Sequence, residues 1–289
     1  MATPSSWKKL RECAPDALPA VLAEFDSAGL FPAPGETTEQ FAERLKALHE
    51  ELDALQEGAS DLQQLIAQAR FPLPAAHRKA VNLTWEKYRF RAAWVPVRCS
   101  SKQTGILSAG VLLEIDRLLP LVFLHGAFAD KKKRMGYDVS ETLAHEMVHA
   151  VRTAFPSSVY EEYFACQVNA SAFRRTIGNL FRRWELPALF FGGLAAAPVL
   201  AATGISWWWI PLLLPAAVIL RELVLRHRLA RAAEHLRKAG LDALPLLLRL
   251  SDREIFEISS LAPEEIKAKK ESSVRWKMLL EKFRLPEGN

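Results

Sequence analysis

Apolar positions recur at helical spacing in the N-terminal part of the chain. Between residues 37 and 57 they are Phe41, Leu45, Leu48, Leu52 and Leu55. This period of three to four residues predicts an amphipathic helix. Thr37 and Gln40 have the spacing of a capping box at its start, and Gly58 should end it.

A second helix is predicted from Ser60. Its apolar face comprises Leu62, Leu65, Ile66 and Ala69. Two such short helices favour a packed helical hairpin, with a coiled-coil partner helix as the alternative. The segment FPLP at 71–74 predicts a linker after them.

The pattern changes between residues 94 and 128, where helical periodicity is lost. β-Branched and aliphatic residues are interspersed there with Gly, Ser and Pro, which predicts two or three short strands. The stretch LLEIDRLL at 112–119 could instead be helical. The basic segment DKKKR at 130–134 is expected to be a solvated loop, with contact to anionic lipid as a second interpretation.

The longest apolar run extends from Leu186 to Leu220, 35 residues without a charge. One straight helix of that length would measure roughly 50 Å, well beyond the ~30 Å hydrocarbon thickness of a bilayer. A break near Thr203 and Gly204 divides the run into two, which predicts a transmembrane helical hairpin. The run also contains four prolines, at positions 187, 198, 211 and 215, which a membrane tolerates better than water does.

Arginines flank this run on both sides. Those before it are Arg174, Arg175, Arg182 and Arg183, and those after it are Arg221, Arg226, Arg228 and Arg231. The positive-inside rule therefore places both ends of the apolar run, both chain termini and the catalytic core on the cytoplasmic side of the membrane. Trp207, Trp208 and Trp209 would lie at the outer turn. A buried hairpin in a soluble helical protein and a re-entrant insertion are the alternatives.

After the run, residues 221–239 predict a basic helix. Ser251 with Glu254, and Pro263 in a first turn, mark two further helix starts. The fold class expected from these patterns is α+β and mostly helical. We expect four regions: an N-terminal helical region at 1–74, a catalytic core at 75–183, the membrane hairpin at 184–222 and a C-terminal helical region at 223–289.

The composition of the chain indicates mainly the redox compartment in which the protein works. The three cysteines, Cys13, Cys99 and Cys166, are far apart and odd in number, which argues against a disulfide framework and for a reducing compartment. The net charge of +5 is mild. The N-terminus has lysines without an apolar segment behind them, so we expect no cleaved signal peptide.

The candidate chemistry lies in the stretch AHEMVHAV. His145 and His149 are four residues apart, so a helix places both imidazoles on one face, where they can share a Zn²⁺ ion. Glu146 would then face the open coordination position as a general base. Asp138 or Ser140 can cap this helix, and its other side chains are largely apolar, as in a buried helix.

A catalytic zinc needs a third protein ligand. Pro156 ends the first helix, and Ser158 with Glu161 has capping-box spacing at the start of a second. We therefore assign Glu161 to capping and Glu162 to the metal, with Glu161 as the rival ligand.

The combination of TLAHEMVHAV with EYFAC from Glu162 resembles the gluzincin metallopeptidases, zinc enzymes with an HExxH helix and a glutamate on a second helix. Together with the hairpin it is similar to the integral-membrane Ste24/HtpX-like class. The resemblance covers residues 138–173 and implies a zincin-like core with His145, His149 and Glu162 as Zn²⁺ ligands and Glu146 as general base. It departs at Cys166, where those families have an aspartate.

Three further roles stay open at the level of sequence. Cys166 could support a ligand, close the site as a fourth ligand, or be an inert small residue. The oxyanion could be stabilised by one of four residues, His125, Tyr137, Tyr160 or Tyr163. Residues 106–115 could form the edge strand along which an extended peptide substrate aligns, or a plain core strand.

The sequence therefore predicts a membrane-anchored zinc metalloendopeptidase. Its partners would be a protein or peptide substrate and a lipid bilayer, with no nucleic acid. A non-catalytic membrane scaffold with a structural zinc site and a zinc hydrolase of a non-peptide amide are the alternatives. Substrate specificity and oligomeric state cannot be read from the sequence.

Overall fold

The computed structural model describes residues 18–58, 66, 69–105, 108–116, 118–156, 159–178 and 185–286. Within them the chain is mostly helical with a small mixed sheet, as the sequence patterns predict. The predicted capping residue Ser158, most of the second N-terminal helix, Cys13 and the pair Arg182 and Arg183 lie outside the described residues.

In the described residues, three helices precede the sheet: α1 (Leu18–Ser27), α2 (Thr38–Glu57) and α3 (Pro74–Tyr88). Helix α2 begins with the predicted capping box of Thr37 and Gln40 and ends at Gly58, whose φ of 79° is left-handed. Its five predicted apolar positions are all buried. Pro74 occupies the first turn of α3, where its missing N–H costs no hydrogen bond.

The predicted strands are present. They are β1 (Val97–Cys99), β2 (Gly110–Ile115) and β3 (Leu119–Leu124), with the short helix α4 (Ser101–Thr104) between β1 and β2. Their order is β1-β3-β2, with β3 parallel to β1 and antiparallel to β2. The stretch 112–119 is thus a hairpin rather than a helix, turning at Asp116 with φ of 50°.

Strand β3 is buried along its whole length and forms the centre of the core. A 3-10 turn (Gly126–Ala129) and a two-residue hairpin of β4 (Lys133–Arg134) and β5 (Tyr137–Asp138) then lead into α5 (Val139–Ala150). Helix α5 packs against α3, β3 and β2, so the HExxH helix is a core element, as its apolar sequence predicts.

Two short helices, α6 (Glu161–Cys166) and α7 (Ala172–Ile177), lead to the apolar run. There, α8 (Glu185–Ala202) ends just before the predicted break, and Gly204 has a φ of 75°. A 3-10 turn (Ile210–Leu212) follows, and α9 (Leu213–Lys238) continues without interruption through the charged residues. Helices α8 and α9 pack against each other.

The second half of the apolar run is less helical than the two-helix prediction requires. Helix α9 begins only at Leu213, because Pro211 and Pro215 lack the N–H groups that an earlier helix would use. Its uncharged part, to Leu220, therefore measures about 12 Å, too short to cross a bilayer as a helix. In the described part of the chain, only α8 is long and apolar enough to do so.

The remaining helices are α10 (Ala243–Leu248), α11 (Asp252–Ile258), α12 (Pro263–Ala268), a 3-10 turn (Lys269–Glu271) and α13 (Val274–Lys282). The capping box of Ser251 and Glu254 and the first-turn Pro263 are present as predicted. Apolar residues of α10 to α13 belong to the same buried cluster as those of α2 and β3.

Candidate metal centre

Helix α5 carries both histidines and is fixed at its start by Asp138. The Asp138 carboxylate accepts hydrogen bonds from the backbone N–H groups of Ser140 and Glu141, at 2.9 and 3.3 Å. Asp138 is thus the N-cap, one of the two residues the sequence offers for it. Leu143 and Met147 are fully buried on the core side, which turns His145 and His149 toward α6.

Helix α6 is held by contacts from distant parts of the chain. The backbone N–H groups of Val159 and Tyr160 donate to the Asp252 carboxylate at 2.7 and 3.2 Å. The hydroxyl of Tyr160 donates to the Leu225 carbonyl at 3.1 Å, and that of Tyr88 to the Phe164 carbonyl at 2.6 Å. These bonds set the position of α6 against α5.

Three side chains from the two helices converge on one point. The Nε2 atoms of His145 and His149 are 3.2 Å apart. Glu162 Oε1 lies 3.5 Å from the first and Glu162 Oε2 lies 3.3 Å from the second. These three side chains are the candidate donors for a metal ion.

The spacing of these donors suits a tetrahedral metal ion. An ion bound at about 2.0–2.1 Å by nitrogen and oxygen holds its ligand atoms roughly 3.3 Å from one another. The 3.2 Å between the two histidine nitrogens matches that edge length. Each nitrogen contacts a different oxygen of Glu162, at 3.5 and 3.3 Å, and one donor atom from each of the three residues lies within 4.8 Å of the others. His145, His149 and Glu162 are the only His, Cys, Asp or Glu group within the described residues whose donor atoms cluster this way, and Cys166 is outside it.

Helix α6 begins at Glu161 itself, with Tyr160 as its N-cap, whereas the sequence predicts a start at Ser158, which lies outside the described residues. Asp252 accepts hydrogen bonds from the N–H groups of Val159 and Tyr160, just before the helix. The Glu161 carboxylate accepts a hydrogen bond from His149 Nδ1 at 2.8 Å. This contact leaves His149 Nε2 free to face a metal.

Burial and charge shift the pKa values of the cluster in opposite directions. Burial lowers the pKa of His145 to about 4. Burial alone would also lower that of His149, but its hydrogen bonds to Glu161 and Glu162 raise it to about 10. Burial opposes ionisation of Glu162, yet the two imidazoles lower its pKa to about 2. The Glu162 carboxylate is thus ionised and faces a protonated His149. A bound cation would take the place of that proton.

Glu146 lies beside the cluster in a different environment. Its side chain is only 7% exposed, and burial, with a further contribution from the charge of Glu162, raises its pKa to about 7 despite His149. A carboxyl with this pKa can both accept and return a proton at neutral pH. A Cβ built on Gly110 of strand β2 would lie 2.7 Å from Glu146 Oε1, so the strand passes directly over this carboxylate.

A cavity of about 310 Å³ opens onto the cluster. Its lining includes His145, Glu146, Glu162, Gly110 and Cys166. The Cys166 thiol donates to Glu162 Oε1 at 3.3 Å, so it supports the third candidate ligand instead of being inert.

Of the four candidate oxyanion residues, only Tyr137 reaches this cavity. The hydroxyl of Tyr160 is used in helix packing, and Tyr163 packs against the core. His125 lines a separate cavity, beside Cys99, and its Nδ1 accepts from the Ala127 N–H at 3.1 Å.

No protein family model, curated protein or solved structure matches this chain. Of the likeness expected from the sequence, the structure shows a possible metal site of His145, His149 and Glu162.

Two features were beyond sequence reasoning. The pairing of Glu161 with His149 requires the angle between α5 and α6, which Asp252 helps to set from almost a hundred residues away. Arg174, expected only as a flanking charge of the apolar run, lines the cavity as well. Gly110, a glycine within a strand, is the local sequence signal that strand β2 passes close to another part of the chain, here Glu146.

Proposed function

We propose that this chain is a zinc-dependent metallopeptidase anchored in a membrane. The observation that carries the proposal is the convergence of His145, His149 and Glu162, whose donor atoms lie within 4.8 Å of one another, with the buried carboxylate of Glu146 beside them. Two histidines and a carboxylate make three protein ligands, which leaves a fourth position for water or substrate, as catalytic zinc sites require.

When bound, Zn²⁺ would supply a Lewis acid for the scissile carbonyl and lower the pKa of a water molecule. Glu146 accepts a proton from the attacking water and returns it to the leaving amine. Glu161 keeps His149 in the tautomer that presents Nε2. Cys166 and the two imidazoles keep the Glu162 carboxylate ionised and oriented.

Strand β2 supports a peptide as the substrate. It lies at the edge of the three-stranded sheet and, within the described residues, pairs only with β3. Its Gly110 end lies against Glu146. An extended peptide that pairs with the other side of β2 would therefore bring a backbone amide to the catalytic carboxylate.

The proposal for membrane anchoring rests on α8 and the start of α9. Helix α8 is apolar apart from Glu185 at its start, and only 11% of it is buried. Large apolar side chains project from both helices and from the turn between them, among them Phe191, Val199, Trp207, Leu213 and Leu220. Such a contiguous apolar surface is costly in water, and arginines follow it in α9, as expected at a cytoplasmic membrane surface.

A comparison of wild type with Glu146→Gln tests the catalytic part. Both proteins should bind one zinc, because Glu146 is not among the three donors. Cleavage of a peptide library should fall by at least a hundredfold in the variant, since it has no base. Equal activity in both proteins would refute the proposal.

Vesicle flotation tests the anchoring. Wild type should float with phosphatidylcholine–phosphatidylglycerol vesicles after reconstitution, whereas a variant with Leu194→Glu and Leu220→Glu should float markedly less. Leu285→Glu, which changes an apolar residue about as exposed as Leu194 but outside these helices, is the control. Unchanged flotation of the double variant would exclude α8 and α9 as the anchor.

A structural zinc site in a non-catalytic scaffold is the competing function, because the Cys166 thiol lies close to Glu162. That function requires Cys166 to become a fourth ligand, which would close the position that water needs. The coordination sphere of the metal distinguishes the two.

A further inference from the structure

Arg174 occupies an unusual position at the mouth of the catalytic cavity. It belongs to the short helix α7, yet it shares a cavity lining with His145, Glu146 and Glu162. Apart from His145, it is the only basic side chain among the described residues that line this cavity.

The guanidinium of Arg174 is held in place from one side. It stacks on the ring of Tyr137, 4.0 Å from the ring centroid, and its Nη2 donates to the Gly136 carbonyl at 2.7 Å. Gly136 lies in the β4–β5 turn with a φ of 78°. The turn and α7 therefore meet at the cavity mouth with the guanidinium between them.

Among the residues that the structure describes, the charge of Arg174 has no carboxylate partner. Within the described part of the chain, the guanidinium makes no ion pair and no hydrogen bond besides that to Gly136. A guanidinium has five N–H donors, so four remain for a ligand. Half-buried beside a reaction centre and fixed by an aromatic ring, it matches the geometry that binds a carboxylate through two parallel hydrogen bonds.

The neighbouring Arg175 shows that this placement is specific. Its Nη1 donates to the carbonyls of Asn169 and Ala170, at 2.8 and 2.6 Å, and it does not line the cavity. The two arginines are adjacent on the same helix and carry the same charge. Only Arg174 faces the cavity, whereas Arg175 is bonded to backbone carbonyls.

We propose that Arg174, backed by Tyr137, forms a subsite that binds a carboxylate of the substrate peptide next to the scissile bond. This inference rests on the proposed peptidase function. The carboxylate could be an Asp or Glu side chain or the free C-terminus of the peptide. In either case the site selects acidic peptides over their neutral counterparts.

The test uses the full-length zinc-loaded protein and quenched-fluorescent heptapeptides in which each position in turn is Glu or Gln. A second set carries a C-terminal carboxylate or its amide. Wild type should prefer one acidic position, or the free C-terminus, by roughly tenfold or more in kcat/KM, the range for a hydrogen bond to a charged group. The set that shows the preference identifies the source of the carboxylate.

Arg174→Gln should bring that ratio close to one while leaving cleavage of the neutral peptide within about threefold. Arg174→Lys should restore only part of the preference, because an ammonium lacks the planar pair of donors. Arg175→Gln, the matched control, should keep the wild-type ratio. An unchanged ratio in Arg174→Gln, or an equal loss on acidic and neutral peptides, would overturn the proposal.

A binding measurement separates this inference from the proposed function. Zinc-loaded Glu146→Gln should bind the acidic peptide more tightly than the neutral one by fluorescence anisotropy, and Arg174→Gln in that background should not. If wild type cleaves no peptide, the peptidase proposal fails, and the anisotropy still decides whether Arg174 selects carboxylates.

Discussion

At the scale of single residues, the doubled glutamate after the HExxH helix has two separate tasks. Glu162 places one oxygen near each imidazole, and Glu161 accepts from the far nitrogen of His149. The i, i+4 spacing of the histidines could be predicted because it depends on one helical turn. The sequence favours Glu162 over Glu161 only through a capping pattern with Ser158, which lies outside the described residues. The task of Glu161 could not be predicted, since it depends on the angle at which two helices meet.

Glu161→Gln should weaken metal binding without removing a ligand. The amide keeps the shape of the side chain but loses the charge that orients His149 and strengthens it as a donor. Loss of such a supporting group typically lowers metal affinity about 10–100-fold. Zinc affinity can be measured by competition with a chromophoric chelator. Glu141→Gln, in the first turn of α5, should leave it unchanged, and wild-type affinity in Glu161→Gln would contradict this role.

At the scale of elements, strand β2 and helix α5 approach each other through a glycine. The strands could be predicted from the loss of helical periodicity, and the break in the apolar run from Thr203 and Gly204. The late start of α9, at Leu213, could not be predicted, because the effect of Pro211 and Pro215 depends on how α8 and α9 pack together. The two approach closely at Gly193 of α8, where a Cβ would lie 2.5 Å from the Pro211 carbonyl oxygen.

Gly110→Ala should impair catalysis and spare the metal. Its φ is not in the left-handed region, so the backbone tolerates alanine, but the new Cβ would lie 2.7 Å from Glu146 Oε1 and 3.0 Å from its Cγ. The carboxylate must move, and a displaced general base loses much of its roughly 10²–10⁴-fold contribution. We expect kcat to fall at least tenfold with normal zinc content. Full activity would show that β2 does not constrain Glu146.

At the scale of the whole molecule, a buried charge network ties the N-terminal helices to the C-terminal ones. Asp26 has no exposed surface and contacts Arg249 Nε at 2.7 Å, Arg249 Nη2 at 2.9 Å and Lys282 Nζ at 2.6 Å. Asp26 and Arg249 are 223 residues apart in sequence. No local pattern predicts such a pair, and neither α1, which contains Asp26, nor α10, which Arg249 follows, is among the helices predicted from caps and apolar faces.

Asp26→Asn should destabilise the protein severely. The variant leaves the fully buried Arg249 guanidinium without its counter-charge, and removing one partner of a buried ion pair costs about 3–5 kcal/mol. Denaturant unfolding in detergent measures the change. The control is Asp130→Asn, which breaks the exposed pair with Arg70 and should cost about 1 kcal/mol or less. Equal effects of the two variants would contradict this account.

The same network predicts a pH dependence. Burial would raise the pKa of Asp26, but Arg249 and Lys282 outweigh it and hold the pKa below the ordinary value of 3.8. Its contribution to stability is therefore present in full above pH ~4 and is lost as the pH falls through the folded-state pKa. Unfolding free energies measured between pH 2 and 6 should decline more steeply at the acid end for wild type than for Asp26→Asn. Parallel curves would contradict it.

The zinc coordination sphere tests the central claim most directly. X-ray absorption of the zinc-loaded protein should show two imidazole nitrogens and oxygen donors at about 2.0–2.2 Å, with no sulfur near 2.3 Å. That result would correspond to His145, His149, Glu162 and one exchangeable position. A sulfur shell that disappears in Cys166→Ser would mean a closed, structural site and would contradict the assignment as a peptidase.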